Sequence, residues 1–185
     1  AHFKAVQIEH VPDHEQAKKF GLTMGIKAAS NEHLLLTDAD CSPNSISWVS
    51  QMTANYREST QFVLGYSPHK KATGLLNLFI RWETFFTGLQ YLSFALGGLP
   101  YMGVGRNLSY RKSLFLNNKG FVQHQHVTGG DDDLFVNQHA NRQNTHIAIG
   151  TQTLVYTKAK ENIRDYFKQK KRHLHVGKYY RGKHR

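Results

Sequence analysis

The run Leu34-Leu35-Leu36-Thr37-Asp38-Ala39-Asp40 constrains this chain more than any other stretch. Three leucines that end on Thr-Asp-Ala-Asp describe a buried strand delivering acidic side chains at its C-terminal end. In open α/β sheets, ligands bind at that end of the strands. Asp38 and Asp40 are two residues apart, so an extended backbone points them the same way, with Cα atoms about 7 Å apart. Two convergent carboxylates suit Mg²⁺ or Mn²⁺ and, through the metal, a diphosphate. A competing reading makes both residues turn or helix N-cap groups, since Cys41-Ser42-Pro43 follows.

The flanking pattern supports an α/β sheet. Residues 3–11 alternate apolar and polar (Phe3, Ala5, Val6, Ile8, Val11), which predicts a strand ending at Pro12. Residues 13–30 predict a helix whose Gly21 and Gly25 suit close approach to another backbone. A strand follows over 33–37, then a helix over 45–55 capped by Ser42 or Asn44 with Pro43 near its first turn. Residues 61–66 predict another strand. Alternation at this spacing predicts a Rossmann-like fold with a largely parallel central sheet.

Residues 75–99 are the most apolar stretch, interrupted by Arg81 and Glu83, and the unbroken apolar pieces are too short for a membrane span. Two readings stand, a core helix or an amphipathic helix on a membrane surface. Gly103-Val104-Gly105-Arg106-Asn107 predicts a tight loop, either a simple bend or a place where a ligand comes close, followed by a strand and a helix start at Ser113. Gly129-Gly130 precedes Asp131-Asp132-Asp133, which suit the positive end of a helix over 131–140. A last strand is predicted over 147–156 and a basic amphipathic helix over 162–171. Gln123-His124-Gln125-His126 reads as a polar loop or strand edge rather than a metal site, and His69-Lys70-Lys71 as a solvated turn.

Charge is unevenly spread. Residues 158–185 hold eleven Lys and Arg against two acids, +9 of the chain's +11. That basic segment suits nucleotide phosphates, anionic headgroups or nucleic acid, or is simply a solvated face. Five of the thirteen acids lie in Asp38/Asp40 and Asp131–Asp133, and clustered like charges cost free energy unless a cation sits between them. The single cysteine, Cys41, excludes an internal disulfide and fits a reducing compartment.

Taken in order, Leu-Thr-Asp-Ala-Asp, Gly-x-Gly-x-Asn-x-x-Tyr-Arg-Lys, Gly-Gly-Asp-Asp-Asp-Leu and Gln169-Lys170-Lys171-Arg172-His173 resemble the family 2 glycosyltransferases, over residues 18–173. The resemblance implies a GT-A fold with a mainly parallel or mixed sheet, N-terminally truncated, the core spanning 1–157 and the basic Gln-x-x-Arg segment 158–185. It implies inverting transfer of a sugar from a nucleotide-diphosphate donor, a UDP-sugar by expectation, to a saccharide or lipid-linked acceptor in cell-envelope polysaccharide or glycolipid synthesis. Mn²⁺ or Mg²⁺ would sit on Asp38 and Asp40, and Asp131 would be the general base with Asp132 its rival. Lys18, Gln169 and Arg172 would contact the donor; Gly103, Gly105, Asn107, Asp133 and His173 would line the acceptor side. Gly130 departs from the family's usual Glu and His173 from its Trp.

The chain opens mid-pattern, and the expectation is a soluble piece of a longer protein. That protein would work at the cytoplasmic face of a bacterial inner membrane, reached through flanking segments, with no nucleic-acid partner. Two other classes remain: a basic nucleic-acid-binding domain, which would interleave cations with aromatics along a surface, and a metal-dependent phosphotransferase with Asp38 as nucleophile.

Overall fold

The computed structural model describes residues 4–12 and 15–181. The calls that fall on Phe3, on residues 13 and 14 and on 182–185 lie outside the described residues. Six helices, α1 (Ala17–Ala28), α2 (Trp48–Thr53), α3 (Leu75–Leu96), α4 (Lys112–Asn117), α5 (Asp133–His139) and α6 (Ile163–Gly177), surround a four-stranded sheet. Its strands are β1 (His33–Leu36), β3 (Phe62–Gly65), β4 (Leu108–Arg111) and β5 (Thr145–Ala148), in the order β1-β4-β3-β5. The ladders β1·β4 and β4·β3 are antiparallel and β3·β5 is parallel, so three strands share a direction and β4 runs against them. The fold is mixed α/β. A small antiparallel pair, β2 (Ser42–Pro43) with β6 (Val155–Tyr156), lies apart from it.

The two-residue period of β3 builds the core on both faces of the sheet. Phe62 and Leu64 join Tyr91, Leu108, Tyr110, Phe115 and Phe135 on one side. Val63 turns to Trp48, Met52, Ala148 and Val155 on the other. Full burial of such side chains contributes roughly 1.5–3 kcal/mol each before entropy is counted. Phe135 ties the first cluster together, with ring centroids 5.1 Å from Tyr110 and 5.7 Å from Phe62.

Several predicted elements differ. Residues 4–11 form no strand; they are largely exposed and run beside α1, where Ile8 packs over Gly21 and the Lys4 ammonium donates to the Ala28 carbonyl. Leu34, Leu35 and Leu36 are half-buried rather than buried, because β1 is an edge strand with β4 on one side only. Ser42 and Pro43 do not begin a helix but pair with Tyr156 and Val155, and the Asn44 amide donates to the Thr151 carbonyl. Neither Ser42 nor Asn44 caps α2, which starts later, behind a turn in which Ser45 Oγ accepts from the Ser47 N–H.

The strand predicted over 147–156 is broken. Residues 145–148 join the main sheet, a short 3₁₀ turn covers 151–153, and 155–156 pair with β2. His69 is part of no solvated turn: it bridges to Thr157, and burial with the Arg106 charge lowers its imidazole to about 4.

Candidate active site

Two acidic motifs meet at the C-terminal end of β1. After Leu36 the chain leaves the sheet, and a turn closed by the Cys41 N–H to the Asp38 carbonyl (3.0 Å) holds Asp38 and Asp40 in place. The Asp38 side chain is 39% exposed and Asp40 is exposed. Gly129 and Gly130 then turn the other chain segment into α5 with φ of +86° and +72°. A side chain at Gly130 would place its Cβ 2.6 Å from Leu134, so the position admits neither the strain nor the bulk of another residue. A Glu at this position, expected from the resemblance to the family 2 glycosyltransferases, would meet both obstacles.

The three consecutive aspartates have three different environments. Asp131 is buried and pairs with the Lys18 ammonium at 2.9 Å. Asp132 caps α5, accepting from the Asp133 N–H, and also accepts from the Gly105 N–H at 2.5 Å. Asp133 accepts from the Tyr180 hydroxyl at 3.1 Å. Burial, then the Asp132 charge, raises the Asp131 carboxyl above its ordinary range, against the pull of Lys18. Burial would raise Asp132 too, but hydrogen bonds from the Asp133 side chain and the Gly105 N–H hold it at about 2. Burial and the neighbouring Asp132 charge push Asp133 well upward.

Lys18 is the cation between the motifs. Besides Asp131, it stands 3.6 Å from Asp38. Desolvation would lower its ammonium, but the charges of Asp131, Asp132 and Asp38 outweigh that and raise it. Its neighbour Lys19 is buried and has other partners, donating to the His124 and Val127 carbonyls at 2.5 and 2.7 Å. α1 is thereby fixed to the loop that leads into the aspartates.

A cleft of about 580 Å³ opens between α1 and β1, floored by Leu34–Leu36 and reaching Asp38, Gly105, Asp131 and Asp132. Gly21 and Gly25 line it, and nothing lies within 4 Å of a Cβ placed on Gly25. Gly25 thus widens the groove, whereas Gly21 makes room for Ile8.

One oxygen each from Asp38 and Asp40 and the Cys41 sulfur lie within 4.8 Å of one another. Burial pushes the Cys41 thiol up, so it is protonated and donates toward Asp40 at 3.5 Å. Two of the three donors are hard carboxylate oxygens, a set that fits Mn²⁺ or Mg²⁺ better than a thiophilic metal.

The remaining predicted residues fall in different places. Gly103 is packed against Val136, Leu108 and Leu64. Asn107 is fully buried and its amide is spent inside the fold: it donates to the Tyr66 and Thr153 carbonyls and accepts from the Trp48 indole. Gln169, Arg172 and His173 lie on α6, and His173 is within electrostatic reach of Lys170, Asp132, Arg172 and Arg106. Sequence reasoning missed Arg106, Lys170 and Glu83. Arg106 has a buried Nε with no partner among the described residues and acts electrostatically on Cys41, His69 and His173. Its place inside the Gly-x-Gly-x-Asn loop was the available signal. Lys170 forms a 2.5 Å ion pair with Glu83 of α3.

No protein-family model and no curated protein matches this sequence. Among solved structures the chain is similar to the mannosyltransferase PcManGT from Pyrobaculum calidifontis in complex with GDP-Man and Mn²⁺, with a TM-score of 0.60 and 12% sequence identity, over 84% of this chain and 40% of that one. The likeness is one of fold. The chain has the glycosyltransferase type of nucleotide-sugar-binding fold, and it spans well under half the length of that mannosyltransferase.

Proposed function

We propose that this chain carries the catalytic core of a metal-dependent, inverting family 2 glycosyltransferase. It would move a sugar from a nucleotide-diphosphate donor, a UDP-sugar in the first instance, to a hydroxyl of a saccharide or lipid-linked acceptor. The proposed setting is cell-envelope polysaccharide or glycolipid synthesis at the cytoplasmic face of a bacterial inner membrane. The observation that carries the reading is the meeting of Asp38/Asp40 with Asp131 across Lys18, at the sheet end where such folds bind nucleotide sugars. The neighbouring mannosyltransferase holds GDP-Man and Mn²⁺ within the same type of fold.

In this scheme the acceptor oxygen attacks the anomeric carbon and the bond to the diphosphate breaks, while the acceptor proton passes to the Asp131 carboxylate. A carboxyl raised by burial is a stronger base than an exposed one, and general base catalysis contributes about 10²–10⁴-fold. Asp132 is a poorer candidate because its lone pairs are held by Gly105 and Asp133. Asp38 and Asp40 would hold the divalent ion, which when bound neutralises charge on the departing diphosphate. Arg172 of α6, with Arg106, would add positive charge there, and Gln169 a neutral amide donor.

Calorimetric titration of UDP and of GDP, with and without Mn²⁺, tests the reading. Metal-dependent binding of one nucleotide that disappears in Asp40→Ala is expected. No metal-dependent binding of either would overturn it.

A further inference from the structure

We infer that the outward face of α3, with the adjoining face of α6, is a docking surface for an anionic lipid bilayer. α3 buries Ile80, Tyr91, Leu92 and Ala95 in the core, as a core helix should. Its opposite side is also apolar: Leu78, Phe79, Trp82, Phe85, Phe86 and Leu89 recur at helical spacing and are each 47–59% exposed. From Leu78 to Leu89 the strip runs about 17 Å. The rings of Phe79, Trp82 and Phe86 stack in succession, with centroids 6.2 and 5.9 Å apart, so the strip is continuous. Scattered exposed apolar residues are ordinary; a contiguous band of this kind marks an interaction surface.

Charge complementarity identifies the occupant. α6 lies alongside, its Tyr166 ring 5.8 Å from Phe79 and its Lys170 paired with Glu83, which neutralises the acid that α3 carries beside the strip. α6 holds five Lys and Arg against one acid, Asp165, whose carboxylate accepts from the amide of the Asn162 cap. Arg164, Lys168 and Lys171 are exposed next to the exposed ring of Phe167. An aromatic strip flanked by a helix with exposed basic side chains matches the interface of an anionic bilayer, where indole and phenyl rings sit among headgroups and each nearby cation adds attraction. A second copy of the chain would instead bring like charges together. Among the described residues no helix is long and apolar enough to cross a membrane, so α3 would lie in the interfacial plane. This inference stands independently of the sugar-transfer reading, although α6 also carries Gln169 and Arg172.

Trp82 is a built-in reporter, because Trp48 is 8% exposed and fixed by its bond to Asn107. The test is cosedimentation and tryptophan emission with vesicles of phosphatidylcholine plus phosphatidylglycerol, against phosphatidylcholine alone. Binding to the anionic vesicles, a blue shift, and quenching by brominated acyl chains are expected. The Phe85→Ser/Phe86→Ser double variant should lose affinity by roughly a hundredfold with unchanged circular dichroism and melting. Lys168→Glu/Lys171→Glu should lose the preference for the anionic lipid. Absence of vesicle binding, binding indifferent to the aromatic variant, or self-association that the aromatic variant abolishes without any lipid binding would each overturn the inference.

Discussion

The two acidic motifs of this chain are chemically alike and physically opposite. Asp38 and Asp40 sit on a short turn, partly or fully exposed, with few protein groups bonded to their carboxylates. Asp131, Asp132 and Asp133 are each committed: one to Lys18, one to the Gly105 and Asp133 amides, one to Tyr180. The contrast teaches that an acid cluster can be an open donor set or a prewired proton-handling array, and that burial with hydrogen bonding decides which.

The largest effect expected is from Asp131→Asn, which should lower sugar transfer about 10²–10⁴-fold while calorimetric nucleotide binding is kept. Loss of nucleotide binding would move Asp131 into the open set with Asp38 and Asp40. Asp132→Asn should be milder, within roughly tenfold, since the amide oxygen keeps the bond from Gly105 and the Asp131 carboxyl remains, while the bond from the Asp133 N–H and the charge that raises Asp131 are lost; a loss equal to that of Asp131→Asn would make Asp132 the base. Gly130→Glu, which supplies the carboxylate usual in the family, should destabilise by about 2 kcal/mol or more through positive φ and the clash with Leu134. Thermal melting would register this as a fall of several degrees.

Lys18→Met removes a cation that now lowers the Asp131 carboxyl, so that carboxyl rises further. A base at Asp131, as proposed, works deprotonated, and the acid limb of kcat/KM should therefore move to higher pH. A limb that stays put would separate Asp131 from the rate.

The smallest effect belongs to Asp133→Asn. Its carboxyl is raised in the fold, so ionisation costs stability increasingly as pH climbs above the ordinary carboxylate range of about 4, and fully once its folded value is passed. The amide removes that dependence and still accepts from Tyr180. Denaturant unfolding at neutral pH should find the variant at least as stable as the parent.

Much of this was legible in linear order. The strand leading to Asp38 and Asp40, the strand over 62–65 and the long apolar helix announce themselves through local pattern, although burial follows that pattern fully only over 62–65. The strand proposed over 3–11 is absent over 4–11 because alternation does not supply a neighbouring strand, and Ile8 finds α1 instead. The break between residues 148 and 155 was hidden because one apolar stretch serves two sheets.

By itself, the sequence determined the mixed α/β character and the positions of its acids, since both follow from short-range pattern and chain order. Only the tertiary structure decided that Lys18 joins the two acid motifs, that Asn107 is spent inside the fold, and that α3 is apolar on both sides. Those facts depend on which distant groups exclude water from one another, and residue spacing does not encode that.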